Sequence, residues 1–470
     1  MILSKEYGEN KNTIRRLLAV GESFDVLERR LDIYESEATF FYIDGFVKDG
    51  EMQRVMQFIL NEKSLGSAKE VLGKLPYIEV DVVHTVEEVT RGVLSGQSAM
   101  LADSFGDSCI MIDARTYPAR PTAEPDSDRV MQGAHDGFVE TLVINTALIR
   151  RRIRDTRLRM IHFDMGGSSK TDVIMCYMDG VADEKTVRRV EKRLKEAKPK
   201  SITLGFQSLA ESIIRGGWLN PFPKIRTTER PDTASAQLLE GSVLVLCDTS
   251  PQAMILPTSI FDYLQQTDDY YYPPLTGTYL RLVRVAILLL SVIVTPLWYL
   301  YLEYADTLPE FMRFLIPDEP GALPIIFQLL LVEVAIDGLK IASMNTPNML
   351  SNSLSVVGAL ILGDFAVTVG WLCPDVILYM AFVAIANFAQ QNHELGYAFK
   401  FMRVVILLFV FFFGIWGFAL GIALGIFLVA TNTTVIGRRY LYPLVPFDKR
   451  AMARLLFRSK KQDFYADEDK

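Results

Sequence analysis

Two long runs of uncharged, apolar residues constrain the fold of this chain more than any other feature. Residues 285–302 form a stretch of 18 residues without a charge, and residues 404–430 form another of 27. A membrane-spanning α-helix needs about 20 predominantly apolar residues. The carboxyl-terminal part of the chain is therefore predicted to lie in a membrane.

The first 280 residues have the opposite character, because they hold most of the charged side chains of the 470-residue chain. The chain carries 49 Lys and Arg against 56 Asp and Glu, a net charge of −7, so nucleic acid is not an expected partner. The amino terminus lacks the apolar run of about 7–15 residues that marks a signal peptide. We therefore expect this part of the chain to stay in the cytosol.

The cytosolic part is predicted to form two α/β modules, residues 1–125 and 126–275. In the first module, residues 38–60 combine an apolar strand, an Asp-Gly turn and a helical pattern of apolar residues. In the second, Thr171–Met178 predicts a strand and Asp183–Glu196 predicts a helix. The fold class predicted for the chain is thus α/β N-terminal modules followed by an all-α polytopic membrane domain.

Four arginines collect at the end of a predicted helix, at positions 150, 151, 152 and 154. Cationic side chains are favourable at the carboxyl end of a helix because of the helix dipole, so one interpretation is a solvated helix end. The other interpretation is a contact with lipid headgroups or with an acidic partner. The sequence leaves both open.

Motifs for catalysis or metal binding do not stand out in the sequence. Residues 166–171 (GGSSKT) resemble the end of a phosphate loop, but Ser169 occupies the place where that loop requires Gly. The four cysteines and four histidines are scattered, without a CxxC pair. We therefore expect no catalytic residues, no cofactor and no metal site.

The membrane domain is predicted to cover residues 276–436, followed by a basic cytosolic tail over residues 437–470. Its apolar segments lie near residues 285–302, 322–342, 353–372, 376–389 and 404–430. Lysine and arginine collect on the cytosolic side of membrane proteins, which makes the basic tail a cytosolic marker. The same rule predicts a position on the cytosolic side for five further residues: Arg281, Arg284, Lys340, Lys400 and Arg403.

Five complete crossings would place the tail on the opposite side from the amino terminus. Either the short segment 376–389 fails to cross, or the segment 404–430 is split in two. A segment that ends inside the bilayer is tolerated only where protein or water covers its ends. Both solutions keep the amino and carboxyl termini cytosolic.

Three acidic residues interrupt the apolar segments and are the candidates for an ion pathway: Glu333, Asp337 and Asp364. Glu333 and Asp337 are four residues apart and therefore share one helix face. A carboxylate at the bilayer centre costs about 2.5–3.5 kcal/mol on insertion scales, so such groups usually line a water-filled path or pair internally. The alternative is a position near the interface or a pairing with Lys340.

Three glycines in the last apolar segment, Gly417, Gly421 and Gly425, form two overlapping GxxxG units. Small residues at this spacing let two helix backbones approach closely. They predict helix packing and no chemistry.

Several motifs together resemble the A subunits of bacterial spore germinant receptors, the GerA type. They include residues 145–153 (NTALIRRRI), residues 358–363 (GALILG) and residues 440–446 (YLYPLVP), and the resemblance runs from about Val20 to about Arg458. The most specific motif is a signature that precedes the first membrane segment. It contains Glu229, Arg230, Pro231, Asp232, Glu240, Gly241, Asp248, Ser250 and Pro251.

The resemblance implies a multi-pass protein of the spore inner membrane that acts in germination. It implies homo-oligomeric rings, pentamers, that conduct cations and are surrounded by membrane lipid. Within that family the chain resembles a branch encoded with the dipicolinic acid channel, which implies a small accessory membrane protein and other germination proteins as partners. The alternative function is a non-conducting scaffold that docks germination proteins through the cytosolic modules.

Overall fold

The computed structural model describes residues 1–34, 36–117, 133–214, 219–266, 268–305, 309–318, 321–345, 366–390 and 392–457. The chain divides into two compact units. Unit 1 comprises Met1–Gly216, Lys224–Thr258 and Thr434–Arg438, and unit 2 comprises Gly217–Pro223, Ser259–Thr433 and Arg439–Lys470. Unit 1 is α/β and unit 2 is helical, so the predicted order of fold classes along the chain is confirmed.

The first module of unit 1 is a five-stranded antiparallel sheet with helices on both faces. Its elements in chain order are α1 (Tyr7–Leu17), β1 (Val26–Ile33), β2 (Ser36–Ile43), α2 (Asp49–Asn61), α3 (Ala68–Lys74), β3 (Val80–Val83), α4 (Val86–Leu94), β4 (Ser98–Ala102), a 3-10 turn (Asp103–Phe105) and β5 (Cys109–Ile112). The strand order is β1-β2-β4-β5-β3, and each neighbouring pair is antiparallel.

The second module of unit 1 contains a second antiparallel sheet of five strands. Its elements in chain order are α5 (Leu142–Arg152), β6 (Leu158–Met165), β7 (Thr171–Met178), α6 (Glu184–Glu196), α7 (Phe206–Ile213), β8 (Arg226–Thr228), α8 (Pro231–Leu239), β9 (Val243–Cys247) and β10 (Ala253–Leu256). The strand order is β6-β7-β9-β10-β8.

The two modules repeat one topology: helix, two strands, two helices, strand, helix, two strands. The repeat is visible in the sequence after the second strand, where residues 42–45 (YIDG) correspond to residues 177–180 (YMDG). Gly45 and Gly180 have φ of +79° and +77°, a conformation that L side chains rarely adopt. The matching turns indicate that the two modules are copies of one structural unit, which the sequence analysis did not detect.

Each sheet is the middle of three layers, because successive side chains of a strand point to opposite faces. In the first module, Phe40 and Met100 pack with α2 and α3. Phe41 and Leu101 pack on the other face with α1 and α4. The central strands β4 and β9 consist entirely of buried residues, which explains their continuous apolar sequences.

The described part of unit 2 is helical. In chain order its elements are a 3-10 turn (Ile260–Leu264), α9 (Asp268–Tyr271), α10 (Pro274–Glu303), a 3-10 turn (Glu310–Leu315), α11 (Ile325–Asn345), α12 (Ala366–Thr368), α13 (Pro374–Phe388), α14 (His393–Thr431) and α15 (Lys449–Leu456).

Two helices in the described part of the chain have the length and composition of a membrane span. Their most apolar windows have mean hydropathies of 2.2 in α10 and 2.6 in α14. Only 33% of the first window and 28% of the second is buried inside the protein, so most of this apolar surface is uncovered. The helix α13 is apolar but shorter.

The predicted segment 404–430 falls within α14, which is not one continuous helix. The backbone of Gly414 is non-helical, with φ of +55° and ψ of −131°. A Cβ on Gly421 would lie 2.9 Å from Cγ1 of Ile406, although these residues would be about 22 Å apart in a straight helix. The helix therefore folds back on itself at Gly414 into a first arm, residues 393–413, and a second arm, residues 415–431.

The reversal at Gly414 lies beside the end of α10. A Cβ on Gly414 would be 3.1 Å from the Tyr304 hydroxyl oxygen and 3.5 Å from the carboxylate oxygens of Glu303. The start of α11 meets the segment before α13, where the Cys373 backbone N–H donates to Gln328 Oε1 at 2.8 Å. Most of the predicted segment 353–372, with Asp364, lies outside the described residues.

Candidate functional site

Helix α11 and the first arm of α14 bring four charged side chains together inside unit 2: Glu333, Asp337, Lys400 and Arg403. Arg403 Nη2 donates to Glu333 Oε1 at 2.6 Å, and Lys400 Nζ lies 3.3 Å from the same oxygen. Lys400 also pairs with Asp337. Two positive and two negative charges thus cancel within this four-charge cluster.

Helical spacing explains why both helices present these groups on one face. The two acids are four residues apart on α11, and the two cations are three residues apart on α14, both spacings that make neighbours on a helix surface. When the helices pack, Glu333 meets both cations and Lys400 meets both acids. Glu333 and Lys400 consequently each have two partners of opposite charge.

Burial differs across the four-charge cluster. Arg403 is 1% exposed, and its Nη1 donates to the Ser291 carbonyl oxygen of α10 at 2.9 Å, which attaches a third helix. The buried Arg403 Nε has no acceptor among the described residues. Taking an ion out of water costs several kcal/mol, which only close partners offset. The Asp337 side chain is 33% exposed, so it is the member that solvent or an ion reaches most easily.

The pairing partners differ from those considered in the sequence analysis. Lys340 does not pair with either acid; its ammonium lies 4.7 Å from the centre of the Tyr397 ring. The proposed pairing with Lys340 is therefore wrong, because Lys400 and Arg403 take that role. These two cations had served only as cytosolic markers, although their spacing matches that of the acids.

A second buried ionic cluster in unit 2 involves the other two cytosolic markers. Asp269, which is fully buried, lies 3.0 Å from Arg284 Nη2 and 3.3 Å from Arg281 Nε. Arg281 Nη1 also donates to the Leu455 carbonyl oxygen at 2.8 Å, which holds α15 against the start of α10. Both arginines thus have specific structural partners.

The three glycines of the GxxxG units lie along the contact between the two arms of α14. A Cβ on Gly417 would overlap the carbonyl oxygen of Phe409, and one on Gly425 would lie 3.2 Å from Met402 Cε. Gly421 meets Ile406 between them. The absence of side chains at these positions allows the two arms to approach closely.

In unit 1, the arginines at the end of α5 join the two modules. The buried Arg150 donates through Nε to Asp25 Oδ2 at 2.6 Å and through Nη2 to Asp25 Oδ1 at 3.0 Å. It also donates to the carbonyl oxygens of Asp155 and Leu158, both at 3.2 Å. The interpretation of a solvated helix end is therefore wrong for Arg150, whose partner lies in the other module.

The remaining arginines of this group also have partners within unit 1. Arg152 pairs with Asp136 at 2.6 Å, the Arg151 guanidinium lies 4.5 Å from the centre of the Tyr117 ring, and Arg154 Nη1 donates to Ser95 Oγ at 3.5 Å. The partners of these arginines are therefore residues of the same chain.

The family signature lies in the second module, where it fixes the starts of three helices. Arg230 pairs with Asp232 at 2.7 Å beside Pro231, which begins α8. Asp248 Oδ1 accepts a hydrogen bond from the Leu142 backbone N–H at the start of α5, at 3.2 Å. Ser250 Oγ accepts one from the Phe206 backbone N–H at the start of α7, at 2.9 Å.

The other signature residues lie in loops of the same module. Glu229 accepts a hydrogen bond from Gln252 Nε2 at 2.9 Å, and Glu240 accepts one from Gln237 Nε2 at 2.9 Å. Gly241 has φ of +89°, and Pro251 lies in the turn between β9 and β10. The structure gives these residues contacts that hold the module together.

Cysteine chemistry and metal binding find no support in the part of the chain that the structure describes. It contains no group of three or more His, Cys, Asp or Glu that could hold a metal ion. The four cysteines are buried, and burial raises the pKa of the Cys247 thiol to about 12. Burial also raises the pKa values of Cys109 and Cys176, so these thiols stay protonated and unreactive.

An α/β part, uncovered apolar helices and a buried ionic cluster between helices define a membrane protein with a folded α/β part. The chain belongs to the Bacillus/Clostridium GerA spore germination protein family, whose sequence model matches residues 12–467. The resemblance predicted from the motifs is confirmed. The chain is therefore a membrane protein of spore germination.

Individual relatives match over nearly the whole chain. Stage V sporulation protein AF of Bacillus subtilis is 36% identical over 461 residues, which covers 96% of this chain and 92% of that protein. Spore germination protein KA of Bacillus subtilis is 26% identical over 478 residues, which covers 98% of this chain and 87% of that protein.

The chain is also similar to a solved structure. It is the N-terminal domain of the A subunit of the Bacillus megaterium spore germinant receptor GerK3, at 24% identity and a TM-score of 0.41. It covers 54% of this chain and 96% of that domain.

Proposed function

We propose that the chain is a subunit of an oligomeric cation channel, a pentamer, in the spore inner membrane. Release of ions through it triggers or amplifies germination. Family membership supports the process, and the four-charge cluster supports the mechanism. A buried cluster between apolar helices is costly, and charged groups within membrane segments usually serve an ion path or its control.

The reversal at Gly414 supports a topology with both termini in the cytosol. If the last predicted segment contributes two crossings, the five segments give six crossings and return the basic tail to the cytosolic side. The segment 376–389 then needs no special placement. This topology keeps unit 1 and the tail on the side predicted from their charges.

Within the channel, Asp337 is the residue that faces the ion path, and Glu333 is a positioning residue. The supporting observation is the difference between their surroundings. Glu333 is bound by both Lys400 and Arg403, whereas Asp337 has Lys400 alone and is partly exposed. A carboxylate with a single ammonium partner can release it and attract a cation more readily than one held by two cations.

The test is cation flux through the purified full-length protein in liposomes, with the oligomer mass measured by mass photometry on the same preparation. We expect a ring-sized oligomer that passes potassium. A ring-sized oligomer without flux, tested with the accessory membrane protein and without it, would contradict the channel.

The alternative is a non-conducting scaffold that docks germination proteins through unit 1. The observation that favours it is the complete neutralisation of Glu333 in a single chain, which is compatible with a purely structural cluster. A scaffold predicts binding of germination proteins without flux. Potassium flux through the purified protein would exclude it.

A further inference from the structure

A cleft opens in unit 2 where α11, α13 and α14 meet, at the exposed edge of the four-charge cluster. Its empty volume, including space open to solvent, is about 410 Å³, and it is lined by Asp337 and Lys400 of that cluster. Further polar side chains line it from each helix: Lys340 of α11, Asn387 of α13 and His393 of α14. Several hydrogen-bond donors therefore converge on one space.

The charges around this cleft leave one cation without a counterion. Lys400 is paired with Asp337. Lys340 has no carboxylate within 4.0 Å among the described residues, and its ammonium lies over the Tyr397 ring. The first turn of α14 also faces the cleft through His393, and the amino end of a helix carries a partial positive charge. The cleft thus favours an anionic ligand.

The surroundings of the cleft distinguish between an anion from solution and one attached to a lipid. Phe388 lines the cleft and is 65% exposed, and Ile385 on the same helix is 66% exposed. Ile341, next to Lys340 on α11, is 52% exposed. Exposed apolar side chains beside a cationic site suit acyl chains next to a headgroup, whereas a free anion would make no use of them.

We propose that this cleft binds the phosphate headgroup of an anionic phospholipid. Lys340, His393 and Asn387 contact the phosphate, and the apolar side chains at the rim contact the acyl chains. The inference rests on the membrane location given under the proposed function. Because Lys400 lines the same cleft, the bound phosphate competes with Asp337 for its ammonium and so acts on the four-charge cluster.

The test is the affinity of the full-length protein for phosphatidylglycerol, measured by native mass spectrometry during titration into neutral detergent micelles. Removal of one cation near a headgroup costs about 1 kcal/mol, so Lys340→Ala should weaken binding about fivefold. Lys340→Arg should retain it. The matched control is Arg313→Ala, which removes an exposed cation from the segment between α10 and α11.

A second variant, Asn387→Asp, adds a negative charge to the cleft and should weaken binding by a similar factor. It keeps the inference testable if Lys340→Ala does not fold. Equal affinities of Lys340→Ala and Arg313→Ala would overturn the proposal, as would unchanged binding by a folded Asn387→Asp.

Competition separates the two sources of phosphate. We expect inorganic phosphate at equal concentration to leave phosphatidylglycerol bound, because it cannot use the apolar rim. Displacement would assign the cleft to a free anion and overturn the lipid proposal. No flux enters these measurements, so a protein that binds the lipid but does not conduct contradicts the channel alone.

Discussion

Both units of the protein bury arginine against a carboxylate, but the two arrangements differ. In unit 1, Arg150 and Asp25 form a single pair, and fixed carbonyl oxygens accept the other donors of the guanidinium. In unit 2, Glu333 pairs with two cations, Lys400 and Arg403. Asp337 is partly exposed, and Arg403 Nε has no acceptor among the described residues. The first arrangement holds two modules in one position, whereas the second contains alternative partners that allow it to rearrange.

The largest effect should follow from breaking the pair in unit 1. Asp25→Asn leaves the buried Arg150 charge without its counterion, which should lower the free energy of unfolding by about 3–5 kcal/mol. Hydrogen exchange of the full-length protein, followed by mass spectrometry, should show faster exchange in α5 and β6. The control is Asp32→Asn at an exposed pair, expected to change stability by less than about 1 kcal/mol. Similar exchange in both variants would contradict this account of the pair.

Breaking the pair in unit 2 should cost less. Arg403→Ala leaves Glu333 with Lys400 at 3.3 Å, so the expected loss is about 2–3 kcal/mol, below the range for an isolated buried pair. Trp298, Trp371 and Trp416 lie in unit 2, so thermal unfolding followed by tryptophan fluorescence reports on this change. A loss as large as that of Asp25→Asn would show that the second partner contributes nothing.

The reversal in α14 can be tested separately from the four-charge cluster. Gly414→Ala forces a side chain into a backbone conformation available mainly to glycine, at an expected cost of about 1–2 kcal/mol. Gly338→Ala is the matched control, because a Cβ there meets nothing within 4 Å in α11. That control should unfold at the same temperature or a higher one, since alanine favours helix over glycine. Equal unfolding temperatures for wild type and Gly414→Ala would contradict the sharp reversal.

The smallest expected effect concerns Asp44, a carboxylate in unit 1. Burial is the main cause that raises the pKa of Asp44, beside the Gly45 turn, above its usual value. The folded state therefore binds this proton more tightly than the unfolded state. Stability should fall as the pH rises from the ordinary aspartate pKa to the raised one, and then level off.

Asp44→Asn should remove this pH dependence and slightly increase stability at neutral pH. Circular dichroism melting curves between pH 4 and 7, compared with wild type, measure the difference. A variant that keeps the wild-type pH slope would refute the contribution of Asp44.

The α/β class of the first part of the chain and the helical class of the second could be predicted from the sequence, because amphipathic patterns and long uncharged runs are local signals. The partners of the charged residues could not, because Glu333 meets residues far along the chain and pairing depends on which helices pack. The sequence left open that segment 404–430 is split in two, but not where, since glycine within an apolar run is also compatible with a continuous helix. The module duplication left a local signal, the repeated Asp-Gly turn, that a search for internal repeats would have found.

The most direct test of the central claim is cation flux through liposomes that contain wild type, Asp337→Asn or the control Asp318→Asn, an exposed acid before α11. The account predicts that Asp337→Asn lowers flux about tenfold, equivalent to about 1.4 kcal/mol, because the path loses its accessible carboxylate. The oligomer mass should not change, and Asp318→Asn should conduct as wild type does. Wild-type flux through an intact Asp337→Asn oligomer would contradict the claim that this residue faces the ion path.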